Sequence, residues 1–159
     1  MNSALHDTLL IVAEALVPAR DSWWIIASAA AALHGAEISV ADVDLLVSRR
    51  DGEALLARLG LETVLTSSDR FRSDLFACWT GTPLPVDIMA GFHVLGADGW
   101  QEIRPVTRLA LPFGGTTLHI PSIPELIEHC RLFGRPKDLA RAAILQRLGN
   151  DPATRPRTA

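Results

Sequence analysis

Two aspartates one residue apart, Asp42 and Asp44, stand at the head of an apolar stretch that continues through Leu45, Leu46 and Val47. In an extended strand, residues i and i+2 point to the same face, so the two carboxylates project together. Side by side they repel, and each resists ionisation unless a cation lies between them. Hard oxygen donors of this kind suit Mg²⁺, which also takes ligands from substrate phosphates. The plain alternative for a bare Asp-x-Asp is a pair of solvated acids at a strand start. A third carboxylate, Asp87, lies inside Pro85-Val86-Asp87-Ile88-Met89. An acid in the middle of such a strand is costly unless it is paired or metal-bound. If this strand lies beside that of Asp42, three carboxylates converge, enough to hold two metal ions and orient a nucleophile. If not, Asp87 reads as half of a buried salt bridge with an arginine of the C-terminal half.

Two further groups could meet an anion. In Ile26-Ala27-Ser28-Ala29-Ala30, a bulky β-prone run gives way to small residues. Small residues let a backbone approach closely, a helix start favours phosphate, and Ser28 can add its hydroxyl. The same residues also serve ordinary helix–sheet packing. Lys137, the single lysine beside 14 arginines, stands four residues before Arg141, so the two share a helical face. With Arg131 and Arg135 they could meet a triphosphate, arginine by a bidentate fork and lysine as a point charge. A solvated basic face is the alternative. His34 reads as a helix-end or core histidine, Trp23 and Trp24 as core, and Phe71 or Trp79 as candidates to face a cleft.

The elements that must position these residues follow from the pattern. Leu5, Leu9, Val12, Ala13 and Leu16 recur at helical spacing, predicting a helix over 3–17 closed by Pro18. Trp23 to Ala27 predicts a strand, Ser28 to His34 a helix ended by Gly35, and Val43 to Val47 a second strand. Asp51 is expected to cap a helix through Leu59. Strands are expected at Leu61 to Thr66, Arg72 to Thr80 and Leu84 to Met89. Gly114-Gly115 between Leu109 to Phe113 and Thr116 to Ile120 signals a hairpin. Ser122-Ile123-Pro124-Glu125 is a capping box opening a helix to Phe133, and Pro136 opens another that Gly149 ends. Residues 150–159 read as a frayed tail. The order predicts an α+β or α/β fold with a mixed sheet flanked by helices.

Composition narrows the class. At 159 residues, 48% hydrophobic and 21% charged, the chain is read as one folded domain over 1–159. Its net charge of −3 does not suggest a duplex-coating protein. That figure hides an asymmetry: residues 1–100 carry 13 acids and 6 bases, residues 101–159 carry 5 acids and 9 bases. An acidic front and a basic back suit two sides of one site. Cys78 and Cys130 lack metal-ligand spacing and are expected to be buried free thiols in a reducing cytosol. No apolar run reaches the roughly 18 residues of a membrane span. Met1 to Thr8 lacks a basic signal region, so a cytoplasmic location is expected.

The order of these features resembles the nucleotidyltransferase superfamily of the DNA polymerase beta type. Ala27-Ser28 followed by the helix to Leu33-His34-Gly35, then Asp42-Val43-Asp44-Leu45, looks like the family's Gly-Ser, helix and Asp-x-Asp pattern. The likeness is greatest to small bacterial members, including abortive-infection toxins and aminoglycoside-modifying relatives. Arg135-Pro136-Lys137-Asp138-Leu139 resembles an Arg-x-Lys-Asp-Leu element in several of them. The resemblance spans roughly residues 22–145. It implies transfer of a nucleoside monophosphate from an NTP to an acceptor hydroxyl or phosphate, with Mg²⁺ or Mn²⁺ on Asp42, Asp44 and Asp87. Asp87 would also activate the acceptor, and Ser28 would lie near the triphosphate. The acceptor is left open between a tRNA, a protein and a small molecule, and a homodimer or partner chain could complete the site. Two departures stand out. Ala27 replaces the family's glycine, and Ser39 is the nearest hydroxyl before the Asp-x-Asp. The alternative they raise is a binding or antitoxin-like module that keeps the fold without catalysis.

Overall fold

The computed structural model describes residues 1–66 and 68–150. The tail expected over 150–159 lies, apart from Asn150, outside the described residues.

Helix α1, Ser3–Ala15, starts where the Asn2 side chain accepts a hydrogen bond from the Leu5 N–H, and it buries Leu5, Leu9 and Val12. Strand β1, Trp24–Ile26, runs directly into helix α2, Ala27–Leu33. Strand β2, Val43–Leu46, leads to helix α3, Arg49–Leu59. The cap of α3 is Ser48, whose hydroxyl accepts from the Asp51 N–H. Asp51, expected as that cap, instead accepts from the Arg20 and Asp21 N–H groups and ties down the loop before β1. The strand expected at Leu61 to Thr66 does not form. That stretch is irregular, with a hydrogen bond from the Val64 N–H to the Phe76 carbonyl, and Val64 and Leu65 are exposed.

Strands β3, Phe71–Trp79, and β4, Val86–Gly96, form the longest pair. Sequence reading ended β4 at Met89, but it runs on and turns back into β5, Gly99–Glu102, at a tight turn that Gly99 makes at φ 105°. Strands β6, Leu109–Phe113, and β7, Thr116–Ile120, form the expected hairpin across Gly114-Gly115. Helix α4, Ile123–Phe133, is capped by Ser122 and ends at Gly134 in the left-handed conformation. Helix α5, Pro136–Asn150, follows at once.

The main sheet has the order β1-β2-β4-β3, with β5 paired to β4 beyond the end of β2. β2 and β4 are parallel, while the β1–β2, β3–β4 and β4–β5 pairs are antiparallel. The mixed α+β architecture expected from the sequence is present. Strand alternation divides the faces. Val43, Leu45, Val86 and Ile88 are fully buried in the larger core with α1, α3 and β7. The opposite face carries Asp44, Asp87 and a smaller apolar cluster of Ile26, Leu46, Met89, Phe92 and Phe133. Among the described residues, no helix is long and apolar enough to cross a membrane.

Candidate active site

One transverse row of the sheet carries the chemistry. Ile26 on β1 is opposite Asp44 on β2, Asp44 is opposite Asp87 on β4, and Asp87 is opposite Cys78 on β3. Opposed residues in a ladder share a face, so these four side chains rise from the same side of the sheet. Asp42 lies just before β2 and acts electrostatically on Asp44, Asp87 and Cys78.

The electrostatics record the crowding. Asp44 is pushed up to about 7, first by removal from water and then by the negative charges of Asp42 and Asp87; Arg141 and Arg135 pull the other way. Asp87 is also raised, chiefly by burial, then by Asp42, against a hydrogen bond from the Cys78 thiol. Burial likewise raises the Cys78 thiol, and Asp87 adds to the effect. Cys78 was expected to be buried but is exposed; Cys130 is buried as expected.

At the end of β1 the chain turns on Ala27, which has φ 54° and is, among the described residues, the single non-glycine at positive φ. That conformation strains a residue with a β-carbon, and such strain tends to be kept at functional turns. Ala27 therefore adopts the backbone shape a glycine would take without cost. Ser28 follows it and is buried. His34, at the other end of α2, binds the Pro121 carbonyl through Nε2 at 2.8 Å, a structural contact that matches the reading of a helix-end histidine.

The C-terminal basic group is organised by one buried acid. Asp138 is fully buried and accepts from Arg135 Nε at 2.6 Å through Oδ2 and from Arg135 Nη2 at 3.1 Å through Oδ1, while Arg141 Nη1 lies 3.5 Å from that same Oδ1. The pull that Arg135 and Arg141 exert on Asp44 places both within electrostatic reach of the carboxylates. Lys137 is exposed on α5 and is not among the residues lining the cleft beside Asp44. Arg135 does line that cleft, and its guanidinium sits 4.8 Å from the Phe71 ring centre. Arg131 is exposed as well.

No family model matches the chain, and no curated protein matches it either. Solved structures do. A Thermotoga maritima protein, provisionally assigned as a nucleotidyltransferase, superposes with a TM-score of 0.68 at 17% identity over 89% of this chain and 90% of its own. The chain has the nucleotidyltransferase fold. The antibiotic-resistance factor ANT(2'')-Ia follows at TM-score 0.59 and 13% identity, covering 91% of this chain and 84% of that one. The lincosamide antibiotic adenylyltransferase LnuA, solved with lincomycin, gives 0.58 at 10% identity over 94% and 99%.

Within this nucleotidyltransferase fold the donor set is all hard oxygen, which fits a divalent cation. Among the described residues, however, no three of His, Cys, Asp and Glu form a group that could hold a metal ion by themselves. An open arrangement suits a cation that takes its remaining ligands from water and a triphosphate. Burial raises both carboxyls, and negative charge adds to it, from Asp42 and Asp87 on Asp44 and from Asp42 on Asp87; a cation there would relieve that repulsion. Two contributors escaped the sequence reading. Cys78 lies one strand away from Asp87, a neighbour that only the β3–β4 register reveals. Asp138 stands among basic residues in the sequence, and burial makes it the anchor of Arg135 and Arg141. Phe71, one of the two aromatic candidates, lines the cleft, while Trp79 does not.

Proposed function

We propose that this protein is a metal-dependent nucleotidyltransferase that moves a nucleoside monophosphate from an NTP to an acceptor hydroxyl, with release of pyrophosphate. The observation that carries this reading is the register of Asp44 against Asp87 beside Asp42, three carboxylates at one end of two parallel strands. LnuA, named as a lincosamide antibiotic adenylyltransferase, and ANT(2'')-Ia, solved in complex with adenylyl-2''-tobramycin, support it and favour a small-molecule acceptor.

Asp42, Asp44 and Asp87 would hold the divalent cation, which when bound supplies positive charge at the α- and β-phosphates. Asp87, its proton affinity raised by burial, is suited to take the proton of the acceptor hydroxyl. The freed oxygen attacks the α-phosphorus in line, one P–O bond forms, and the bond to the β-phosphate breaks. Arg135 and Arg141, oriented by Asp138, meet the charge that accumulates on the leaving pyrophosphate. Ala27 and Ser28 form the turn against the triphosphate, and Lys137 contributes longer-range positive charge from outside the cleft. Ala27 keeps the left-handed turn of a glycine, which supports an active site over the inactive-module alternative.

The test is transfer of label. Protein incubated with α-labelled NTPs, Mg²⁺ or Mn²⁺ and a small-molecule extract should yield a labelled product, and Asp87→Asn should abolish it. Binding of NTP without any labelled acceptor would favour the inactive module.

A further inference from the structure

The row of Ile26, Asp44, Asp87 and Cys78 has an apolar neighbour on the same sheet face. Two residues along each strand, Trp24, Leu46, Met89 and Phe76 oppose one another in register. Successive same-face rows lie about 7 Å apart. A cleft of about 230 Å³ joins the two rows, running from Ala27, Asp44 and Asp87 past Met89 to Phe76. Its remaining lining is mixed: the hydroxyl residues Thr66, Ser68 and Ser73, the side chain of Arg72, and three further phenylalanines. Those three, Phe71, Phe92 and Phe133, are engaged with one another at 5.6 to 5.9 Å between ring centres. Phe76 is half-buried and, among the described residues, has no ring partner of its own.

With the triphosphate at Ala27 and Arg135 and the α-phosphorus at Asp44 and Asp87, the nucleoside must leave the row on one side, and the cleft opens toward Met89 and Phe76. We infer that this cleft seats the ribose and base of the NTP, with the base against the Phe76 ring, and that the protein accepts all four bases alike. The inference rests on the nucleotidyltransferase reading, which fixes where the phosphates lie. Every base offers a face to an aromatic ring, so stacking does not choose among them. The hydroxyls of Thr66 and Ser73 donate or accept as the base edge requires. Ser68, whose oxygen already accepts from the Arg70 and Phe71 N–H groups, and Arg72 are donors, and every base carries an acceptor for them. Rejecting a base takes fixed partners that the wrong base would leave unpaired. Apart from Asp44 and Asp87 at the phosphate end, the described lining has no acidic, carboxamide or imidazole side chain to serve as one.

The experiment titrates the intact protein by calorimetry, in the presence of Mg²⁺, with the α,β-methylene analogues of ATP, GTP, CTP and UTP and with inorganic tripolyphosphate, which has no base. The four analogues should bind within about three-fold of one another. Phe76→Ala should weaken all four about ten-fold and leave tripolyphosphate unchanged. Phe76→Leu, which keeps most of the side-chain volume, should weaken them less, and circular dichroism of both variants separates a lost ring contact from a lost fold. A preference of more than about ten-fold for one base overturns the inference. Analogue binding indifferent to Phe76, or an equal loss for tripolyphosphate, overturns it too, because the base then lies outside the cleft. Each of these results leaves the nucleotidyltransferase reading standing. Failure of every analogue to bind removes that reading, and the inference with it.

Discussion

Asp44 and Asp87 face one another across the parallel pair of β2 and β4, and neither has a basic residue directly opposite it on the flanking strand. Asp44 has Ile26 on its other side, and Asp87 has Cys78. Two carboxylates placed in this way are a liability to the free protein and an asset to a cation-binding one.

That liability has a sign. The carboxyl of Asp44 is raised from its ordinary range to about 7, so in the metal-free protein the folded state holds a proton that the unfolded chain has released. Stability should then fall as pH rises from the ordinary aspartate range toward 7, and level off above it. Asp44→Asn should flatten that slope. Because a divalent cation competes with the proton, stabilisation by Mg²⁺ with nucleotide should be larger at pH 8 than at pH 5. Melting temperatures across this range, with and without Mg²⁺ and ATP, check both statements.

Ala27 supplies a second expectation. Its left-handed backbone costs a residue with a β-carbon about 1–2 kcal/mol. Glycine removes that strain but gives back about 0.5–1 kcal/mol of chain entropy. Ala27→Gly should therefore be neutral to stabilising by about 1 kcal/mol, with nucleotide binding retained. Ala27→Val should destabilise, since a β-branched side chain tolerates this conformation less well. Urea unfolding of both variants measures the difference.

Asp138 should matter more than its place in a basic stretch suggests. Replacing it with alanine leaves Arg135 and the nearly enclosed Arg141 without their acid, at a cost of about 3 kcal/mol. Nucleotide affinity should drop in the same variant, because Arg135 loses its orientation beside the cleft. Urea unfolding together with ATP titration separates the two effects. A stability change below about 1 kcal/mol would show that Asp138 is not the anchor described above.

Glu125 gives the acid-side expectation. Burial pushes its carboxyl up, but the Thr107 hydroxyl and the Val106 and Thr107 N–H groups outweigh burial and hold it below the usual glutamate range. Its contribution is then fully present above that range and is lost as pH falls through the lowered value. Glu125→Gln should be less stable near neutrality and should show a shallower loss of stability toward acid pH, read from melting temperatures between pH 3 and 6.

Much of this arrangement was legible in the sequence where local chemistry dictates local shape. Gly114-Gly115 announced its hairpin, and Ser122 announced the start of α4. Asp42-x-Asp44 and Asp87 stood out because acids are expensive in apolar strands. What stayed hidden depended on partners far away in sequence. Glu125 completes the capping-box spelling, yet its carboxylate reaches Val106 and Thr107, and the Ser122 N–H goes to the Thr107 hydroxyl. Leu61 to Thr66 has strand composition, but it leaves Val64 and Leu65 exposed beside β3. Helical spacing paired Lys137 with Arg141, while burial of Asp138 selected Arg135 and Arg141. Cys78 beside Asp87 follows from register alone, which no periodicity reveals.

The central claim is that Asp42, Asp44 and Asp87 make a nucleotide site that works through a divalent cation. It is tested most directly by the thermal shift of the wild-type protein with each NTP, with and without Mg²⁺ or Mn²⁺, beside Asp44→Asn. The account predicts a rise in melting temperature that requires both nucleotide and metal and vanishes in Asp44→Asn, while that variant keeps its native circular dichroism. A shift that is equal without metal, a shift that survives in Asp44→Asn, or no shift with any NTP would contradict it.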